Sequence, residues 1–248
     1  METSPAVKAS GLSTVVNTVA APSEAFETLR AAPTWGWACL IAIILLAIGT
    51  YLQGPATRHA GVVQTQHMMA TSSIFANLTP EQKQAAITRA GQASPWAYLF
   101  IAVTLFLIVL LNTVMTLIAN AVGKGQADFK RLWAGSMNIA VPTVGLGAIV
   151  LGIITTLRGA DSFNSSIDVA SATPSLAYIM PHGSPGVTVF LAGFSIFTLW
   201  GLFLNATMLR VTAKTSPAVA YTFAALITVL GALLAAGLVA MAHKSGFA

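Results

Sequence analysis

Few side chains in this 248-residue chain are placed to do chemistry, and their types narrow what that chemistry is. His59, His67, Met68 and Met69 carry imidazole nitrogen and thioether sulfur, donors that suit a soft metal such as copper. No second cluster completes a coordination set, so the four read as ordinary residues of a polar connection, and no metal or cofactor is expected. Cys39 is the sole cysteine. That excludes an intrachain disulfide and any multi-thiolate centre. Inside an apolar run it reads as a small hydrophobe. The chain has no GxSxG, no HExxH and no P-loop, and its apolar runs hold no pair of helical carboxylates. The expectation is a protein without enzyme activity.

Two groups of residues remain. Lys124, Lys130 and Arg131 cluster in a short loop against Asp128, with Trp133 following at once. Lys and Arg beside an interfacial Trp mark the cytoplasmic mouth of a membrane helix. Such cations attract anionic headgroups or an acidic partner. Asn112, Asn138 and Asn205 lie inside apolar runs, and Pro142 follows Asn138 closely. One reading is a polar path through a bundle, as in a small permease or channel subunit. The other is interhelical hydrogen bonding, worth about 0.6 kcal/mol on average. The second asks less of the sequence and is preferred.

The elements that position these residues follow from composition. Hydrophobic residues make up 56% of the chain and charged residues 8%, against roughly 25% charged in a soluble domain. Too few charges remain to coat a surface facing water. The net charge of +5 is small and no basic run exceeds two residues, so nucleic acid is not an expected partner. Five apolar runs are long enough to span a bilayer: about 34–52, 96–119, 132–157, 187–209 and 218–242. None contains Asp, Glu, Lys, Arg or His, which proton relays and carriers of charged substrates need. The expected fold is all-α, a five-helix transmembrane bundle with short N-terminal amphipathic helices. Pro142 should kink the third span near Asn138.

Residues 1–33 read as a cytoplasmic segment, and 34–242 as the transmembrane domain. Leu12, Val15, Val16 and Val19 form one apolar stripe on a short helix. Ser23 caps a second, with Glu24 and Glu27 in its first turn and Phe26 and Leu29 on one face. Both helices are expected to lie on the bilayer surface. Residues 53–95 and 158–186 read as long polar connections. Within the first, Thr79, Pro80, Glu81 and Gln82 predict a capping box opening a helix to about Ala90, stopped by Gly91. Within the second, Leu176 to Met180 reads as a short turn, among breaks that include Pro181 and near His182.

Five spans place the long connections on one side of the membrane. Lys8, Arg30, Lys124, Lys130, Arg131, Arg210 and Lys214 fall on the opposite side, seven of the 12 Lys and Arg. That favours a cytoplasmic N-terminus. In the last span, Ala224, Thr228, Ala232, Ala236 and Ala240 recur every fourth residue. A stripe of small residues lets helix backbones approach closely, within one chain or in a homo-oligomer. Leu230 and Leu234 lie off it.

Several pieces together resemble the Yip (Ypt-interacting protein) domain family of five-span membrane proteins, in its bacterial branch. They are Pro22-Ser23-Glu24-Ala25-Phe26 with Pro33, then Leu78-Thr79-Pro80-Glu81-Gln82, then Phe129-Lys130 leading to Pro142. Phe197-Thr198-Leu199-Trp200, Val211-Thr212 and Ser216 continue the order. The family often has an Asp ahead of the Phe of the fourth-span motif, where Ser195 stands here. Thr207 occupies a position where Gly is common. The resemblance implies a five-span protein of a bacterial inner membrane and no particular biochemical activity; the expected job is scaffolding, helix-mediated assembly or membrane organisation. Eukaryotic members bind small GTPases through an acidic segment that has no counterpart here, so that partner is not implied.

Overall fold

A computed structural model describes residues 10–244 except 73, 74, 76, 95 and 180–183, and leaves out the side chains of 242–244. Lys8, Met180, Pro181 and His182 lie outside the described residues. Among those described, the chain is helical and its only β feature is an isolated bridge between Ser175 and Ser195. Four helices are long and apolar enough to cross a membrane, as in a multi-pass integral membrane protein. These are α3 (Gly36–Thr71), α5 (Trp96–Val122), the continuous pair α6 (Phe129–Ala140) and α7 (Leu146–Arg158), and α11 (Pro217–Lys244).

The helix pair α1 (Gly11–Ala20) and α2 (Pro22–Ala31) precedes them. Ser10 caps α1 by accepting from the Ser13 amide at 3.2 Å. Of the expected stripe only Val15 turns inward; Leu12, Val16 and Val19 are exposed. The buried face is Thr14, Val15 and Thr18, because the two threonine hydroxyls satisfy themselves on helix carbonyls at 3.3 and 2.9 Å. Helix α2 starts one residue before the expected Ser23 cap. Pro22 takes the first helical position, where its missing N–H is no loss. Phe26 and Leu29 do share a face, fully buried against α6 and α10 (Ile196–Val211).

Helix α3 runs well past the first expected span. Its 36 residues cover about 54 Å, far beyond the hydrocarbon core. Residues 53–71 are therefore helix and not polar connection. Pro55 lies inside it. The helix continues because α7 and the following turn hold it on one side. Gln53 Nε2 donates to the Ala148 carbonyl at 3.1 Å, and Ala56 and Ala60 bury against Phe163, Val169 and Ala172. His59 is spent on this seam too. Its Nδ1 lies 3.1 Å from the Phe163 carbonyl and its Nε2 3.6 Å from Asp161.

Helix α4 (Pro80–Ala90) opens with the expected capping box and ends at Gly91. Hydrogen bonds from its own backbone and from Thr79 hold the Glu81 carboxyl below the usual carboxylate range. The Pro142 irregularity is a π-turn over Val141–Gly145 that joins α6 to α7. The fourth expected span, 187–209, is not one helix. It divides into α9 (Pro185–Ala192) and α10. Ser195 ends the run by capping α10, accepting from the Thr198 amide at 3.3 Å. The preceding connection, which carries α8 (Ser166–Ala170) and a turn at Leu176–Tyr178, fastens onto the break. There the Leu176 amide donates to the Phe194 carbonyl and the Ile196 amide to the Pro174 carbonyl.

Candidate functional site

Three polar side chains from three helices meet inside the apolar bundle. Asn112 of α5 donates through Nδ2 to Ser136 Oγ of α6 at 2.9 Å and to Asn205 Oδ1 of α10 at 3.0 Å. Asn205 Nδ2 donates in turn to the Gly201 carbonyl at 2.9 Å. Ser136 and Asn205 are buried, and Asn112 is half-buried. Both amide protons of Asn112 are used, while its Oδ1 accepts no hydrogen bond among the described residues. Asn112, Ser136 and Asn205 all border the adjoining space.

That space is a cavity of about 350 Å³. Small residues shape it: Gly193, Gly201, Gly231, Ala232 and Ala235 border it, with Asn112 and Asn205 at its polar end. Gly231 and Ala235 of α11 are exposed, and α5 and α11 both contribute to the cavity wall. No charged side chain is among the described residues that line it. It suits hydrogen bonding and close helix approach, and the polar groups that the described residues bring to it are amides and hydroxyls.

Asn138 is not part of it. Its Nδ2 donates to the Ala134 carbonyl at 2.8 Å and to the Thr34 carbonyl at 3.1 Å, pinning the approach to α3. Its Oδ1 is buried with no partner among the described residues. Of the three amides singled out from sequence, two converge and one fixes a backbone connection. Ser136 was missed. A lone serine in a glycine- and methionine-rich turn of helix carries no signal of its own, and only the α5–α6 contact reveals its role.

The basic cluster also divides. Asp128 caps α6, accepting from the Arg131 amide at 2.9 Å. The Arg131 guanidinium meets Asp128 Oδ2 at 3.2 Å and donates through Nε to the Arg30 carbonyl at 2.8 Å. Arg131 therefore closes the C-terminal end of α2, satisfying a carbonyl left over by the helix. Lys124 and Lys130 are exposed. Their loop is held from within by Asn120, which donates to and accepts from Ala127 at 3.0 and 3.2 Å. It is joined to the loop after α10 by the Gln126 amide on the Ala213 carbonyl.

On α11, Ala232 is buried and faces the α9–α10 break, where a Cβ on Gly193 would lie 2.6 Å from the Ala232 Cβ. Ala236 is half-buried, with its carbonyl 3.6 Å from the Cβ position of Gly186. The small residues lie along the contact with α9, while Leu230 and Leu234 are exposed.

Replacing Asn112 by Leu removes both bonds of the cluster and leaves Asn205 Oδ1 and Ser136 Oγ without their donor. The expected loss is about 0.6 to 1.7 kcal/mol, the range seen for interhelical hydrogen bonds in lipid. Thermal unfolding in detergent reads it. Asn138→Leu should cost at least as much by a separate route, so the double variant should be additive within about 0.5 kcal/mol.

Comparison with family models, with curated proteins and with solved structures finds no match.

Proposed function

We propose that this is a non-enzymatic membrane assembly protein whose cleft between α5 and α11 seats a helix of a second copy. The observation that carries the reading is the cavity bordered by α5 and α11, with the Asn112–Ser136–Asn205 cluster and small residues on its wall. Small residues allow backbones to approach, and a polar group from the incoming helix would find Asn112 Oδ1 as acceptor. An intramembrane cleft without charge favours a structural contact over proton or ion movement.

In this reading α9 and α10 together make a fourth crossing, giving five spans with the N-terminus in the cytoplasm. The α1–α2 pair belongs to the cytoplasmic half of the bundle. The bacterial inner membrane is the proposed location, in keeping with the likeness to the Yip domain family. A second reading is a small permease, favoured by the π-turn at Pro142 beside the Asn112–Asn205 cavity. In that case purified protein in liposomes would carry small neutral polar solutes.

The test uses single cysteines in a Cys39→Ser background, oxidised in native membranes. Gly231→Cys and Ala235→Cys should form a dimer of twice the chain mass, while Leu233→Cys, exposed on another face of α11, should remain monomeric. Equal crosslinking at all three, or at none, would remove the cleft as an interface.

A further inference from the structure

On the side of the bundle that carries the short loops, a second pocket lies between α2, the end of α10 and the loop before α11. It encloses about 350 Å³, and Ser23, Glu27, Thr207, Arg210 and Lys214 contribute its polar wall. The formal charge is +1, two cations against the single carboxylate of Glu27. An apolar groove lies further along the same helix, and the stacked rings of Phe203 and Trp200, 5.2 Å between centroids, lead from the pocket to it. Ile196, Trp200, Phe203, Thr207 and Arg210 recur at helical spacing along one face of α10. Phe203 belongs to the pocket, and Trp200 and Ile196 line an apolar groove that begins beyond it. Val19 at the end of α1 and Pro142 at the π-turn form the far wall of that groove. Pro142 is the fourteenth residue of the 30-residue α6–α7 helix, about 20 Å from its start. The groove therefore reaches toward mid-bundle, while Arg210 and Lys214 stay at the level of the loops.

We infer that this basic pocket and its apolar groove form a binding site for one diacyl phospholipid of net charge −1, such as phosphatidylglycerol. The phosphodiester sits between Arg210 and Lys214, and the headgroup hydroxyls donate to Glu27. One acyl chain follows Phe203 and Trp200 into the groove walled by Val19 and Pro142. Charge matching decides the class. A monoanionic lipid neutralises a pocket of +1, whereas a zwitterionic lipid leaves it charged. Lys214 holds φ at +60°, and Lys124 on the neighbouring loop holds +50°, left-handed conformations that glycine adopts without strain and that a lysine adopts at a penalty. Arg210, in the last turn of α10, also meets the negative end of that helix, which keeps the cation in place.

The site does not depend on the cleft between α5 and α11. Its test uses the full chain in detergent, titrated with dioleoyl phosphatidylglycerol and read by native mass spectrometry. Single-lipid adducts should form on the parent protein. Arg210→Gln with Lys214→Gln should weaken them at least about tenfold, each cation near a headgroup being worth roughly a factor of five. Lys214→Gly guards against a folding artefact. It relieves the strained backbone, so it should raise the thermal midpoint without lipid and still weaken the adduct about fivefold. Lys124→Gln with Lys130→Gln, on the neighbouring loop, should leave the adduct unchanged. Dioleoyl glycerol, which lacks the phosphate, and glycerol phosphate, which lacks the chains, should each fail to bind. Phosphatidylethanolamine binding as tightly as phosphatidylglycerol would overturn the charge match. Equal weakening by the Lys124 and Lys130 changes would reduce the site to general surface charge, and an unchanged adduct in Lys214→Gly would remove it.

Discussion

Gly49→Ala should lower the thermal midpoint in detergent well below that of Gly135→Ala or Gly237→Ala. Gly49 sits where α3 crosses α7. A Cβ there would lie 2.6 Å from both the carbonyl carbon and the carbonyl oxygen of Ala148, and 2.7 Å from its Cβ. Two of those atoms are backbone and cannot rotate aside. The same seam is tight from the other direction, since a Cβ on Gly152 would meet Leu52 Cβ at 2.7 Å and the Gly49 carbonyl at 3.1 Å. The helices must separate to admit the methyl group, and the Gln53 bond to the Ala148 carbonyl lengthens with them. Overpacking costs about 1 to 3 kcal/mol, and contact with backbone places this case near the upper end. Gly135→Ala makes a useful contrast. Its methyl would collide with the Met208 side chain. A methionine can swing away, so the loss should be smaller. Gly237→Ala is the control: its Cβ meets nothing within 4 Å, and alanine favours helix over glycine by about 0.8 kcal/mol. If Gly49→Ala melts with Gly237→Ala, the α3–α7 seam is looser than its geometry requires.

The apolar runs and the capping signals could be read from sequence because each depends on residues close together in the chain. Thr79 and Gln82 specify their reciprocal caps within four residues, and Pro142 perturbs its helix through its own ring. What could not be read depends on distant partners. Nothing local says that α3 continues through Pro55 to Thr71. It does so because Phe163, about a hundred residues on, covers Ala56 and Ala60. The break at Gly193–Ser195 was hidden for the same reason. Its strand-like pairing with Ser175 and its contact with Ala232 come from elements on either side in the chain. The candidate site shows the limit most clearly. Asn112, Asn138 and Asn205 look alike as amides in apolar runs. Only the register of α5, α6 and α10 places two of them together with Ser136 and turns the third toward Thr34. Arg131 likewise looked like one cation of three until the Arg30 carbonyl was seen to occupy it.

Ala232→Leu should destabilise the protein by about 1 to 3 kcal/mol, and comparison with its neighbours tells which contact is responsible. Ala232 is 4% exposed. Its Cβ and Cα lie 2.6 and 3.1 Å from where a Cβ on Gly193 would be, so α11 already touches the break between α9 and α10. The competing outcome is relief, because the cavity beside Ala232 has room for a leucine that turns into it. Direction decides between them. Ala232 faces Gly193, whereas Gly231 and Ala235 face the open cleft, so only the residues facing the cleft can grow without pushing α11 away. Ala235→Leu should therefore keep the parent stability while filling the cleft and abolishing the Gly231→Cys crosslink. Ala236→Leu, half-buried beside Gly186, should fall between the two. Leu230→Ile and Leu234→Ile, both exposed, should be silent. Aggregation temperature in detergent separates the five variants, and the crosslinking yield separates packing within the chain from packing between copies. Should Ala232→Leu aggregate at the same temperature as the two isoleucine variants, the fourfold spacing of small residues on α11 would reflect an alanine-rich composition and not a helix seam.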